Sequence, residues 1–259
     1  MTTHADTSHA SSNGTPSTPD ALHVAFVLDE SGSMTDLAPA VVTGFAEFLD
    51  ELRADPGDTR VTLTLFDTTV THVHVAVPLA DVPSLATTGY RPGGMTALFD
   101  AVAHAVLETD GRLTAEGKAD EKVMVVVMTD GLENSSTDYT AETIAALVSE
   151  YEERPNWTFV YLGAAHASLD GARAAAGRMA FKAGNAMRWQ AEPVAARKSM
   201  SSLAHAARVR RASAARKSEA LFAEAGQGES DYRETGCEPG TITRGDVPDL
   251  FAPKRRPTS

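Results

Sequence analysis

Short apolar segments alternate with longer helical patterns along residues 21–185. The runs that begin at Leu22, Val123 and Trp157 are almost continuously hydrophobic, which is typical of strands buried on both faces of a parallel sheet. Between such runs, apolar residues recur every three or four positions, as on one side of an amphipathic helix. The first of these stripes comprises Leu37, Val41, Phe45, Phe48 and Leu52. The alternation predicts an α/β fold with a doubly wound, mostly parallel sheet covered by helices on both faces.

One pair of predicted strands departs from the parallel pattern. Residues 61–66 and 70–77 both alternate apolar and polar side chains, and only the short link from Asp67 to Thr69 separates them. A parallel crossover needs a much longer connection, so this link predicts an antiparallel hairpin. We therefore expect one antiparallel edge strand in the otherwise parallel, Rossmann-like sheet.

The composition divides the chain into four parts. Residues 1–20 are rich in Ser, Thr and Pro and have almost no large apolar side chains, so we expect them to be disordered. The α/β domain is predicted at residues 21–185. Residues 186–225 are rich in Ala, Arg, Lys and Ser and predict a basic helical extension. Residues 226–259 are rich in Gly, Pro and charged residues and predict an irregular tail.

The net charge of −12 is distributed unevenly along the chain. Residues 1–170 contain 7 Lys+Arg and 26 Asp+Glu, whereas residues 171–259 contain 16 Lys+Arg and 9 Asp+Glu. Eight of these 16 basic residues lie in segment 188–217. Three interpretations are open for that segment: a solvated helix face, a surface that docks on an acidic partner or on the acidic body of this protein, and a nucleic-acid-binding element.

The composition also excludes several classes of protein. Cys237 is the single cysteine, which excludes a disulfide framework, a Cys-based zinc site and a dithiol redox motif. No apolar run reaches the roughly 18–20 residues of a membrane-spanning helix. No Lys or Arg precedes Arg53, so a secretory signal is not predicted and we expect a cytoplasmic protein.

Oxygen-bearing side chains follow three predicted elements at the carboxyl edge of the sheet, where ligands of doubly wound folds bind. They are two carboxylates and three hydroxyls, with no imidazole or thiol: Asp29, Ser31 and Ser33 after the first strand, Thr96 at the end of a Gly-rich loop, and Asp130 after strand 123–128. Hard oxygen ligands of this kind suit Mg²⁺ or Mn²⁺ in octahedral geometry. Water or an incoming ligand oxygen must complete the six positions.

The pattern Asp29-x-Ser31-x-Ser33, followed by Thr96 and by Asp130 in a Thr-Asp-Gly turn, resembles the metal-ion-dependent adhesion site of von Willebrand factor A (VWA) domains. The resemblance implies that the two serine hydroxyls coordinate the metal and that Thr96 does so directly or through water. It implies that the two aspartates act mainly through bound water. It also implies that a Glu or Asp carboxylate of a partner protein fills the open metal position.

Further stretches resemble a bacterial subgroup of stand-alone VWA proteins. They are the loop from Gly93 to Ala101, the stretch from Thr129 to Ser136 and the strand end from Trp157 to Ala164. The sequence departs from the subgroup's Gly-Ala-Asn-Gln-Asp pattern, because it has Gly163-Ala-Ala-His-Ala167 there. A role for that rim loop is therefore not implied by the resemblance.

Four residues beside the metal ligands are predicted to form a rim that contacts the partner: Glu30, Met95, Glu133 and Asn134. Enzymatic alternatives are disfavoured, because the chain has neither the second carboxylate of an Asp-x-Asp phosphatase nor a Gly-x-Ser-x-Gly elbow nor a phosphate-binding loop. We therefore expect a non-enzymatic, metal-dependent protein-binding module. The alternative is a nucleic-acid-associated protein that uses segment 188–217, with the α/β body as a scaffold.

Overall fold

A computed structural model of the chain describes residues 21–55, 57–164, 169–213 and 222. Within these ranges the fold is built on one six-stranded sheet in the order β3-β2-β1-β4-β5-β6. The strands are β1 (Leu22–Asp29), β2 (Thr59–Phe66), β3 (Val70–Pro78), β4 (Lys122–Thr129), β5 (Trp157–Ala164) and β6 (Ala186–Trp189). β3 pairs antiparallel with β2 at one edge, and all the other pairs are parallel. The predicted doubly wound sheet with one antiparallel edge strand is confirmed.

Helices cover both faces of this sheet. They are α1 (Ala38–Arg53), α2 (Leu98–Ala115), α3 (Ala141–Glu153), α4 (Leu169–Arg178) and α5 (Pro193–Ala212), and a short 3₁₀ helix, Gly32–Leu37, precedes α1. Alternate residues of β1 point to opposite layers. Phe26 packs with α1 and α5 on one face, whereas Val27 packs with α2 on the other. The order of the strands reverses between β1 and β4, so the carboxyl ends of these two strands meet at the switch point of the sheet.

The structure differs from the predicted division at residue 185. β6 follows at once and continues the parallel sheet beside β5, and α5 packs along α1. A Cβ atom at Gly44 of α1 would lie only 3.2 Å from Cγ of Met200 in α5, so the absence of a side chain permits this close approach. The predicted extension is, in its described part, a layer of the same domain. The buried face of α5 consists largely of alanines, which give only a weak hydrophobic pattern in the sequence.

The arginines of α5 are occupied by this protein's own groups. Arg210 is buried and donates to Thr158 Oγ1 at 2.9 Å. Three others pair with acids of α1 or of the residues just after it: Arg197 with Glu47 at 2.9 Å, Arg208 with Glu51 at 3.6 Å and Arg211 with Asp55 at 2.6 Å. Of the three interpretations, these contacts favour docking on the protein's own acidic body. The nucleic-acid alternative stays a prediction.

Several predictions fall outside the described residues. They concern the disorder of residues 1–20, the irregular tail 226–259 and the rim loop at 165–167. Across the described ranges, none of the helices combines the length and the apolar character that a membrane crossing needs.

His23 of β1 makes the stability of the fold sensitive to pH. Burial, together with the guanidinium of Arg112, lowers its pKa from 6.5 to about 3. As the pH falls below 6.5, the unfolded chain takes up a proton that the folded chain cannot accept. Stability should therefore fall between pH 6.5 and 3 by up to about 1.4 kcal/mol per pH unit. Chemical denaturation of His23→Gln should show a shallower pH dependence than that of the natural protein, and equal slopes would contradict this account.

Candidate metal centre

The candidate site lies at the carboxyl ends of β1 and β4. Asp29 is the last residue of β1, and Asp130 directly follows β4. Because these strands are hydrogen-bonded neighbours, the two carboxylates emerge side by side. The turn after β1 leads into the 3₁₀ helix Gly32–Leu37, which fixes Ser31 and Ser33 over the same edge.

Three of the predicted ligand oxygens form a contiguous set. Ser31 Oγ lies 3.1 Å from Ser33 Oγ, and Ser33 Oγ donates to Asp130 Oδ1 at 2.7 Å. Adjacent oxygens of an octahedral Mg²⁺ site, with metal–oxygen bonds of 2.0–2.1 Å, are about 2.9 Å apart. The two serine oxygens are close to this spacing, and the hydrogen bond to Asp130 leaves the lone pairs of Ser33 Oγ available, so the donor set fits the predicted metal.

The carboxylate of Asp29 lies beneath the ligand hydroxyls and holds the neighbouring turns in place. This carboxylate is fully buried, and it accepts hydrogen bonds from Ser31 N at 2.7 Å and from the Thr129 hydroxyl. Burial raises the pKa of Asp29, and the neighbouring charge of Asp130 adds to the rise. Among the described residues, no lysine or arginine forms an ion pair with either aspartate. A divalent cation would supply the missing positive charge.

Thr96 reaches the same point from the Gly-rich loop. A Cβ atom at Gly131 would lie 3.2 Å from Thr96 Oγ1 and 3.5 Å from Asp29 Oδ2, so both oxygens flank this glycine. Thr96 itself is buried. The structure thus brings together all five predicted ligand residues, from three separate loops. Coordination of a metal by them stays a prediction.

The predicted rim residue Glu133 has a different function in the structure. Its carboxylate accepts from Phe99 N at 3.0 Å and from the Ser136 hydroxyl at 2.6 Å. Ala97, which precedes α2, has no side chain that could cap this helix. Glu133 therefore satisfies a free N–H group of the first turn of α2, where negative charge is favourable. Glu133 therefore joins two loops of the site, and its contact with a partner stays a prediction.

Asn134 and Glu30, also predicted for the rim, are likewise engaged within the protein. Asn134 Oδ1 accepts from Thr96 N at 2.9 Å, and Asn134 N donates to Thr96 O at 3.0 Å. Glu30 accepts from Arg91 N, and burial raises the pKa of its carboxyl group. These contacts hold the loop that presents Thr96. Met95, the fourth predicted rim residue, is 52% exposed beside the site.

Sequence reasoning missed the supporting functions of Tyr90 and Thr129. The Tyr90 hydroxyl donates to the backbone oxygen of Asp29 at 2.8 Å, and the Thr129 hydroxyl donates to the carboxylate of the same residue. Burial raises the pKa of Tyr90, so its hydroxyl stays a donor. The sequence shows Tyr90 at the start of the Gly-rich loop. Its hydrogen bond to Asp29 of β1 depends on the tertiary fold, so the sequence could not predict it.

A family model described as von Willebrand factor type A domain matches residues 23–183. The chain belongs to the VWA family. The match ends just before β6, which pairs with β5, and before α5, which packs on α1. No curated protein matches the sequence.

Solved structures with a similar fold have low sequence identity. Proximal thread matrix protein 1 from the mussel byssus, with a zinc-occupied MIDAS motif, matches at TM-score 0.51 and 18% identity over 71% of this chain and 45% of its own. A von Willebrand factor type A protein from Catenulispora acidiphila matches at 0.50 and 16%, over 73% and 43%. The pilus adhesin SpaC from Lactobacillus rhamnosus GG, in its open conformation, matches at 0.53 and 16%, over 72% and 30%. The VWA chain spans less than half the length of each, and the likeness shows the shared fold.

Proposed function

We propose that this VWA domain binds Mg²⁺ or Mn²⁺ at its carboxyl edge and uses the ion to recognise an Asp or Glu side chain of a partner protein. The observation that carries the proposal is the contiguous oxygen set of Ser31, Ser33 and Asp130, with separations of 3.1 and 2.7 Å. The zinc-occupied MIDAS motif of a protein with the same fold supports it.

The residues have distinct functions in this proposal. The hydroxyls of Ser31, Ser33 and Thr96 would hold the ion, while Asp29 and Asp130 supply negative charge and orient those hydroxyls and bound water. The ion would supply the positive charge that attracts a carboxylate. A single exposed carboxylate contact is weak in water, so the surrounding loops must add to the affinity.

We propose that the site binds and does not catalyse. The loops around it, residues 29–36, 90–96 and 129–136, contain no His, Cys or Lys, and Arg91 is their one basic residue. Apart from the ion itself, Arg91 is the one cation that these loops could offer to a transferred phosphoryl group, and they contain no His or Lys that could act as a general base.

The test is capture of partner proteins by the immobilised full chain in Mg²⁺ buffer, with EDTA elution. Ser33→Ala removes one hydroxyl of the set, and Thr35→Ala removes an exposed hydroxyl of the same 3₁₀ helix that donates only to Gly32 O. A carboxylate-bearing partner should be captured by the natural protein and by Thr35→Ala, released by EDTA and lost with Ser33→Ala. Capture that survives both EDTA and Ser33→Ala would contradict metal-dependent recognition.

A further inference from the structure

The surface around the metal centre is strongly acidic. We define the metal edge as the described loops 29–36, 67–69, 90–96 and 130–138, which surround the carboxyl ends of β1, β2 and β4. These loops contain seven acidic residues and one basic residue, Arg91. A bound divalent ion would offset only two of these charges. A carboxylate ligand would therefore approach against a negative field unless cations accompany it.

The metal edge also exposes two large apolar side chains beside the ligand oxygens. Met95 is 52% exposed and Leu132 is 42% exposed. Met95 directly precedes Thr96, and Leu132 directly follows Gly131. Thr96 and Gly131 are close together, since a Cβ atom at Gly131 would lie 3.2 Å from Thr96 Oγ1. A fitting ligand therefore has three properties: a carboxylate for the ion, apolar side chains next to it, and cations that balance the acidic loops.

We propose that segment 244–256 of this same chain is such a ligand and binds the metal edge intramolecularly; this rests on the metal-dependent function proposed above. The segment reads Arg-Gly-Asp-Val-Pro-Asp-Leu-Phe-Ala-Pro-Lys-Arg-Arg. It contains two carboxylates, Asp246 and Asp249, with Leu250 and Phe251 directly beside the second. Four cations against two acids give it the sign opposite to that of the metal edge. In this arrangement the segment competes with partner proteins for the ion.

The charge pattern distinguishes this segment from the one before it. Residues 223–240 contain five acids and one base, so the metal edge repels them although they too contain carboxylates. After Phe222, segment 244–256 is the one that combines carboxylates with an excess of cations. Segment 244–256 therefore has the properties of the proposed ligand. Segment 223–240 serves as a comparison, because it has carboxylates without an excess of cations.

The chain is long enough for the segment to reach the site. Phe222 is buried in the core on the side of α1 and α5, and Asp246 follows it by 24 residues. A chain of that length can span up to about 80 Å. The 20 residues of α5 begin just after β6 and end beside the starts of β2 and β5, and they measure only about 30 Å. Tethering over such a distance gives an effective concentration of about 1 mM.

The experiment measures binding of a fluorescent peptide with the sequence of residues 244–256 to full-length chains by anisotropy. One chain is natural, and the other carries Asp246→Asn with Asp249→Asn, so that its own segment no longer competes. In Mg²⁺ the peptide should bind the double variant, and EDTA should abolish binding. For a peptide affinity near 0.1 mM, the natural chain should bind about tenfold more weakly, because its tethered segment competes at about 1 mM.

Two control peptides test the chemistry. A peptide with Asn at both aspartate positions should not bind, because it lacks a carboxylate for the ion. A peptide of residues 227–239, which contains carboxylates without balancing cations, should not bind either. Binding of either control at the affinity of the 244–256 peptide would overturn the proposal.

Mn²⁺ binding, followed in parallel by electron paramagnetic resonance, separates this proposal from the proposed function. If both chains bind Mn²⁺ but the double variant does not bind the peptide, the self-ligand proposal is wrong and the metal site stands. Equal peptide affinity for both chains would also overturn the intramolecular contact. If neither chain binds Mn²⁺, the proposed function fails together with this inference.

Discussion

Replacing Asp130 with asparagine is expected to weaken Mn²⁺ binding about 10- to 100-fold, the effect typical of losing a residue that orients metal ligands. Asp130 Oδ1 accepts the Ser33 hydroxyl at 2.7 Å, and its carboxylate contributes one of the two buried or half-buried negative charges of the site. The amide keeps the size of the side chain but removes that charge. Titration of the protein with Mn²⁺, followed by electron paramagnetic resonance, measures the change.

Asp36→Asn is the matched control for this experiment. Asp36 is an exposed acid in the adjacent 3₁₀ helix, so its replacement removes one negative charge from the metal edge without removing a contact of the ligand oxygens. We expect a much smaller loss of Mn²⁺ affinity, because Asp36 acts only through the long-range electrostatic attraction between its charge and the ion. This loss should become smaller as the salt concentration rises. Equal losses in the two variants would mean that Asp130 acts only through surface charge, and the assigned geometry would be wrong.

Replacing Leu203 with alanine is expected to lower the free energy of unfolding by about 2–5 kcal/mol, the range for a leucine removed from a packed core. Leu203 lies in α5 and is completely buried in the cluster formed with α1 and β1. The loss follows from apolar surface returned to water and from the cavity that remains. Urea denaturation of the full chain, followed by tryptophan fluorescence, measures the change.

Val194→Ala provides the comparison within the same helix. Val194 lies in the first turn of α5 and is 83% exposed, so its truncation should change stability by no more than about 0.5 kcal/mol. A large loss for Leu203→Ala with a small one for Val194→Ala would show that α5 is a layer of the domain. If both variants were as stable as the natural protein, α5 would be an appendage, as composition alone suggested.

The order of strands and helices up to residue 164 could be predicted because each buried strand is a distinct apolar run. The hydrophobic segments of β1, β4 and β5 cannot be mistaken for surface loops, and the three-residue link after β2 permits only a hairpin. β6 escaped prediction because it has four residues, one of them Arg188. A strand that short carries too little periodicity to distinguish it from a loop.

α5 was recognised as a helix but not as part of the core. Its buried face is built largely from alanines, such as Ala204 and Ala207, which add little to hydrophobic periodicity. Its arginines left a solvated face, a docking surface and a nucleic-acid-binding element open, and in the structure Arg210 and Arg211 are almost fully buried and hydrogen-bonded. Burial of cations depends on partners far away in sequence, which a local pattern does not reveal.

The candidate ligands could be predicted because a metal site of this kind needs oxygen-bearing side chains. Asp29 and Asp130 lie at strand ends, and Thr96 lies at the end of the Gly-rich loop, which the sequence pattern locates. The rim could not be predicted in the same way. Glu133 and Asn134 follow Asp130 in the sequence and look free, but they satisfy backbone groups of α2 and of the loop at Thr96. The side chain that accepts from the first turn of α2 depends on how the loops pack, and the spacing of residues in the sequence does not indicate it.

A crystal structure of the protein grown with Mn²⁺, with anomalous scattering recorded from the ion, tests the central claim most directly. We predict one ion at the ends of β1 and β4, about 2.1 Å from Ser31 Oγ and Ser33 Oγ. Asp29, Thr96 and Asp130 should lie around it, in contact directly or through water. An ion bound elsewhere, or no ion at this edge at a concentration that saturates the protein, would contradict the account.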